Sequence, residues 1–137
     1  MRGTKPNLKV VEGGMQKTPS APSWMNADAK REWKRLMPGL VQRRILTKED
    51  MGQIENLCLQ MAQVRQMQRT IDALDDPFVY ADSGAPRPHP AYRMQRDAMT
   101  TARQIAAEFG LTPVSRSRPA MAPEGSAADE WSGLVDE

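Results

Sequence analysis

The fold turns on residues 47–74, TKEDMGQIENLCLQMAQVRQMQRTIDAL. Thr47 is followed three residues later by Asp50, the hydroxyl-x-x-acid spacing with which a helix start satisfies its unpaired backbone N–H groups. Beyond it, Met51, Ile54, Leu57, Cys58, Met61, Val64, Met67, Ile71 and Leu74 recur at steps of three and four, which places them on one helical face. No glycine follows Gly52 and no proline intervenes before Pro77. The spacing predicts one long helix of about 40 Å at 1.5 Å per residue. A helix this long in a 137-residue chain needs a partner.

The partner is expected over residues 90–109, where Met94, Ala98, Ala102, Ile105, Ala106 and Phe109 mark a second apolar face. Alanines there let two backbones approach closely, and Gly110 stands where a helix end often requires a left-handed residue. The fold class is therefore read as all-α: a long antiparallel helical hairpin, 47–74 and 90–109, behind a short N-terminal helical region. Apolar burial from two helices falls short of the entropy of ordering them, so further packing is expected, from the N-terminal helices or from other subunits.

Upstream, Asn26 and Asp28 are candidate caps for a helix carrying Ala29, Trp33, Leu36 and Met37 on one side. Pro38 and Gly39 are expected to break or kink it, because proline lacks the N–H and crowds the preceding turn. Leu40, Val41, Ile45 and Leu46 then resume apolar character. Between the long helices, Phe78-Val79-Tyr80 favours extended structure and Asp82-Ser83-Gly84 is a turn signal, so a short β-hairpin or ordered loop is expected. Pro86, Pro88 and Pro90 stiffen its return. Residues 1–23 mix Gly, Pro, Ser and Lys without periodicity and read as a flexible basic arm. Residues 24–118 are expected to form the helical core, and 119–137 a flexible acidic tail.

Charge is segregated along the chain. The formal total is +2, yet residues 1–49 carry seven more basic than acidic groups and residues 120–137 carry five acids and no base. Such a split points to two partners, one of them polyanionic. Trp131, Leu134 and Val135, at helical spacing among Asp129, Glu130, Asp136 and Glu137, read either as a short docking peptide or as part of a solubilising tail.

Catalytic signatures are missing from the sequence. It has no glycine-rich phosphate loop ending in Lys-Ser/Thr. His89 is the only histidine and Cys58 the only cysteine, which excludes the usual zinc sets and most nucleophilic triads within one chain. Cys58 sits on the apolar stripe and reads as core, while His89, between two prolines, reads as a structural loop residue. Asp75 and Asp76 adjoin a helix end, where solvation accounts for them. No apolar run approaches the ~18 residues of a membrane span, and no secretory leader is apparent. Neither an enzyme nor a cofactor is expected.

Several short stretches together resemble one family, the small subunits of tailed-bacteriophage terminases, in the group with a compact helical core. They are Arg2-Gly3-x-Lys5-Pro6 with Leu8-Lys9 and Gly13, the proline-rich approach to Trp24, and Glu32-Trp33 with Leu36-x-Pro38. Leu46-Thr47-x-x-Asp50, Arg87-Pro88-His89-Pro90-Ala91 and Leu111-Thr112-Pro113-x-Ser115-Arg116-x-Arg118 complete the set. They run in the family's order over residues 2–118.

The resemblance implies a non-catalytic DNA-recognition subunit of the viral genome-packaging motor. It implies a ring of copies, partnered by viral double-stranded DNA and by the terminase large subunit, which holds the ATPase and nuclease. Action in the cytoplasm of the infected host and absence from the mature virion follow from the same resemblance. The expected DNA surface is Arg2, Lys5, Lys9, Lys17, Lys30, Arg31, Lys34, Arg35, Arg43 and Arg44, with Arg116 and Arg118 as rival carriers. Ile54, Leu57, Met61, Val64, Met67, Met94, Ala98 and Ala102 are expected at the oligomer interface, and Trp131, Leu134 and Val135 at the large subunit. Two rivals stay open: a helix-turn-helix transcriptional regulator using residues 26–60, which predicts a dimer on a palindromic operator, and a virion structural adaptor that does not bind DNA.

Overall fold

The structure, a computed structural model, describes residues 14–117. The basic residues Arg2, Lys5, Lys9 and Arg118, the docking residues Trp131, Leu134 and Val135, and the acidic tail as a whole lie outside the described residues.

Helix α1 spans Ala27–Gln42. Its start is capped as the sequence suggests, the Asn26 side-chain oxygen accepting from the Ala29 N–H at 2.8 Å. The expected break at Pro38 does not occur, for α1 runs through it unbroken. The reason lies in burial: Met37, Leu40 and Val41 flank the proline and all point into the core. At about 1.5–3 kcal/mol for each fully buried side chain, they more than offset the ~3 kcal/mol that proline costs a helix interior. Pro38 itself faces outward.

After α1 the chain turns at Arg44, whose φ of 55° is left-handed. Asp50 then folds back, its carboxylate accepting from the Thr47 N–H at 2.8 Å and from the Thr47 hydroxyl at 3.3 Å. The first turn, Lys48–Asp50, is a tight 3₁₀ turn that leads into α2, Met51–Asp72. The start signal at Thr47 is thus where the sequence places it, while the regular α-helix begins four residues later and stops two residues short of Leu74.

Two short strands follow, β1 (Phe78–Tyr80) and β2 (Pro86–Pro88), paired antiparallel with Phe78 opposite Pro88 and Tyr80 opposite Pro86. The turn between them uses Gly84 at φ 86°. The class is thus mostly helical with a small two-stranded ribbon. Helix α3 covers Pro90–Glu108. It ends with two bonds, Gly110 N to Ala107 O at 3.3 Å and Leu111 N to Ala106 O at 2.9 Å. Gly110 at φ 68° supplies the left-handed residue that this closure needs. A last short helix, α4, covers Pro113–Ser117.

Long-range bonds fix the helix directions. The Gln95 amide, early in α3, donates to Val64 O at 3.3 Å and to the Gln68 side chain at 2.8 Å, late in α2. Phe109, just past α3, joins Ile54 and Cys58 from early α2 in the core. The two helices therefore run in opposite directions. Helix α1 covers them, contributing Ala29, Trp33, Met37, Leu40 and Val41 to the same core. Residues 14–23, the later part of the expected arm, lie along this core: the Trp33 indole donates to Pro19 O at 2.9 Å and Met15 N to Leu46 O at 3.0 Å.

Candidate nucleic-acid interface

The basic residues of α1 divide by what their charges meet. Arg31 pairs with Asp28 at 3.1 Å, and Arg35 places Nε at 2.8 Å and Nη2 at 2.6 Å from one oxygen of Glu32. Asp28 and Glu32 are buried at the base of these pairs, so each of the two arginines has a carboxylate partner. Lys17, Lys30, Lys34 and Arg44 have no ion-pair partner among the described residues. Lys17, Lys34 and Arg44 are exposed and Lys30 is half-buried.

Asp28 also receives the Arg69 guanidinium of α2. That hydrogen bond, more than its own burial, sets its ionisation, holding the carboxyl below the usual carboxylate range and raising Arg69 in turn. Arg43 is engaged differently, with Nη1 donating to Gly110 O at 3.1 Å. Arg116 does the same one residue on, from Nη1 to Leu111 O at 3.1 Å.

The residues expected at an oligomer interface separate as well. Ile54 is 0% exposed and Leu57 1%; Ala98 and Ala102 are also buried within this chain. These four fill the chain's own core. Met61, Val64 and Met67 are half-buried, and Met94 is 45% exposed. Val64, Met67 and Ile71, at steps of three and four, keep a partly covered apolar stripe along late α2, and Leu74, just beyond the helix, is half-buried as well.

His89, read from the sequence as a structural loop residue, and Asp76, read as merely solvated, both build local turns. His89 caps α3, its Nδ1 accepting from the Ala91 N–H at 3.1 Å. Asp76 builds the ribbon: one carboxylate oxygen accepts from the Phe78 N–H at 2.9 Å, the other from the Tyr80 hydroxyl at 2.8 Å. These bonds lower the Asp76 pKa, the Phe78 backbone bond first, and raise that of Tyr80. Phe78, Tyr80, Pro86 and Pro88 thereby share one face of the ribbon, and all are exposed. An Asp two residues before an extended pair is the signal that marks such a side-chain turn.

Among the described residues no group of three or more His, Cys, Asp or Glu side chains stands ready to hold a metal ion, and no helix is long and apolar enough to cross a membrane. Cys58 is buried, and loss of hydration pushes its thiol up to about 12, with the Glu32 charge adding to the effect.

The described residues are thus a helical core with basic groups on its outer surface. A family model described as the phage terminase small subunit matches residues 29–126, from early α1 to beyond α4, and the chain belongs to that family. No curated protein and no solved structure matches it.

Proposed function

We propose that the chain is the non-catalytic, DNA-recognising subunit of a phage genome-packaging motor. The single observation that carries this reading is the family match over residues 29–126. Copies assemble into a ring, bind double-stranded viral DNA at the packaging start and present it to the large subunit, which performs ATP hydrolysis and cleavage. This takes place in the cytoplasm of the infected host and requires no cofactor.

Ring contacts fall to apolar groups that the chain leaves uncovered, Met61, Val64, Met67 and Met94, since a side chain filling its own core has none of its surface left for a neighbour. DNA contacts fall to the cations without carboxylate partners, Lys17, Lys30, Lys34 and Arg44, and to Arg2, Lys5 and Lys9 in the N-terminal segment. Each such contact is modest, and repetition around a ring multiplies it. The segment holding Trp131, Leu134 and Val135 docks on the large subunit.

The test is binding of the full chain to a labelled duplex at increasing salt. Retention that falls linearly on a log–log plot, with a slope of about −0.9 for each neutralised phosphate, supports the reading. Failure to retain duplex DNA even at ~0.05 M salt, where phosphate contacts are strong, would leave the protein a virion structural adaptor.

A further inference from the structure

The turns that end α1 and α3 are tied by the bond from Arg43 Nη1 to Gly110 O, and each closes through a left-handed residue. In α3 that residue is Gly110, whereas in α1 it is Arg44, with Arg44 N bonded to Val41 O at 2.9 Å. Glycine adopts this conformation without cost and arginine does not. Arg44 is nevertheless exposed and free of any ion pair among the described residues. Arg43 precedes it in the sequence, and Arg116 comes from a distant part of the chain to the same turn: Arg43 and Arg116 bond to the successive carbonyls of Gly110 and Leu111, whose Cα atoms stand about 3.8 Å apart.

We infer that Arg43, Arg44 and Arg116 form one phosphate-binding cluster, at the end of the bundle where α1, α3 and α4 meet, and that it takes the backbone of duplex DNA. The cluster presupposes the DNA-binding function proposed for the chain and moves its centre. Arg35 spends its charge on Glu32, and Arg31 shares the Asp28 carboxylate with Arg69. Arg43 and Arg116 each spend one donor on a neutral carbonyl, so both keep a full positive charge. A guanidinium held by a carbonyl also has less rotamer freedom to lose and presents its remaining N–H groups in a fixed fork that suits phosphate oxygens. Of the acids at this end, Asp50 is committed to Thr47, while Glu49 and Glu108 stay exposed. The site is thus a local fork in a mixed field, which sets register on a backbone without reading bases.

The experiment compares the full chain with Arg44→Gly, with the double variant Arg43→Gln/Arg116→Gln, and with the control Lys30→Gln/Lys34→Gln, on a labelled mixed-sequence duplex over a salt series. Arg44→Gly should raise the melting temperature, because glycine suits the left-handed position, and still weaken DNA binding about threefold or more. The log–log salt slope should become shallower by about 0.9 for each phosphate that is no longer neutralised. Should Arg44→Gly lower the melting temperature, Arg116→Gln alone, at an exposed side chain bonded to one carbonyl, decides in its place. The control should lose less affinity than the double variant. Wild-type affinity and slope in Arg44→Gly and the double variant, with weakening confined to the lysine control, would overturn the cluster and leave DNA binding by the chain standing. A wild-type chain that binds no duplex at all overturns both.

Discussion

Arg69, near the end of α2, grips the carboxylate of Asp28 at the start of α1 with both terminal nitrogens, across 41 residues of sequence. Asp28 is 8% exposed, so this pair works partly out of water and locks the α1 start against the far end of α2. The Asp28 pKa is lowered in the fold, chiefly by the Arg69 hydrogen bond. A lowered carboxylate pKa contributes stability that is fully present above the unfolded value, about 3.9, and is lost as pH falls through the folded value. Asp28→Asn should therefore lower the melting temperature near pH 7, by about 1–3 kcal/mol in unfolding free energy. The gap to wild type should narrow below about pH 4. A gap that persists unchanged into acid would show that the pair's charge is not what holds α1.

Pro38 is the weak point of α1. It lacks the N–H that would bond to Lys34 O, and its ring faces solvent. Pro38→Ala should stabilise the protein by about 1–3 kcal/mol, read as a higher denaturant midpoint at unchanged slope. A lower midpoint would mean that the ring makes a contact that the fold depends on.

Cys58 should be inert while the protein is folded. With its pKa at about 12, roughly one thiol in ten thousand is ionised at pH 8, and the thiolate is the reactive form. A thiol-titrating disulfide reagent should report no fast reaction in buffer and one equivalent per chain in denaturant. Stoichiometric labelling within seconds of mixing in buffer would contradict the burial of this part of α2.

Ile54 and Met94 lie on facing helices and should answer differently. Ile54→Ala empties a fully buried site and should cost about 2–5 kcal/mol of unfolding free energy. Met94→Ser, at an exposed position, should cost under about 0.5 kcal/mol and instead weaken self-association, seen as a lower mass on dilution. An unchanged mass on dilution of Met94→Ser would remove this residue from the assembly contact.

What the sequence makes legible is local chemistry. Thr47 and Asp50 announce a helix start three residues apart, and Gly110 announces a left-handed end; both signals are read within one turn. Pro38 misleads because the rule for proline weighs a single turn, whereas the outcome depended on Met37, Leu40 and Val41 meeting partners in other helices. The apolar stripe of α2 shows which side chains avoid water and not whose surface covers them, so Ile54 and Leu57 could be taken for an interface that their own core already fills. The arginine cluster is the least visible feature. Arg43 and Gly110 are 67 residues apart, and only the fold brings Arg43 to the turn that Arg116 already reaches locally, through its bond to Leu111 O.

Self-assembly is the central claim, because both modest cation contacts and half-covered methionines acquire their effect by repetition. The measurement is the solution mass of the purified full chain by light scattering coupled to size exclusion, at two protein concentrations. One stable species several times the 15.3 kDa chain mass is predicted at both concentrations. A monomer or dimer at both would contradict the ring, and would return the helices of residues 26–60 to consideration as a dimeric operator-binding module.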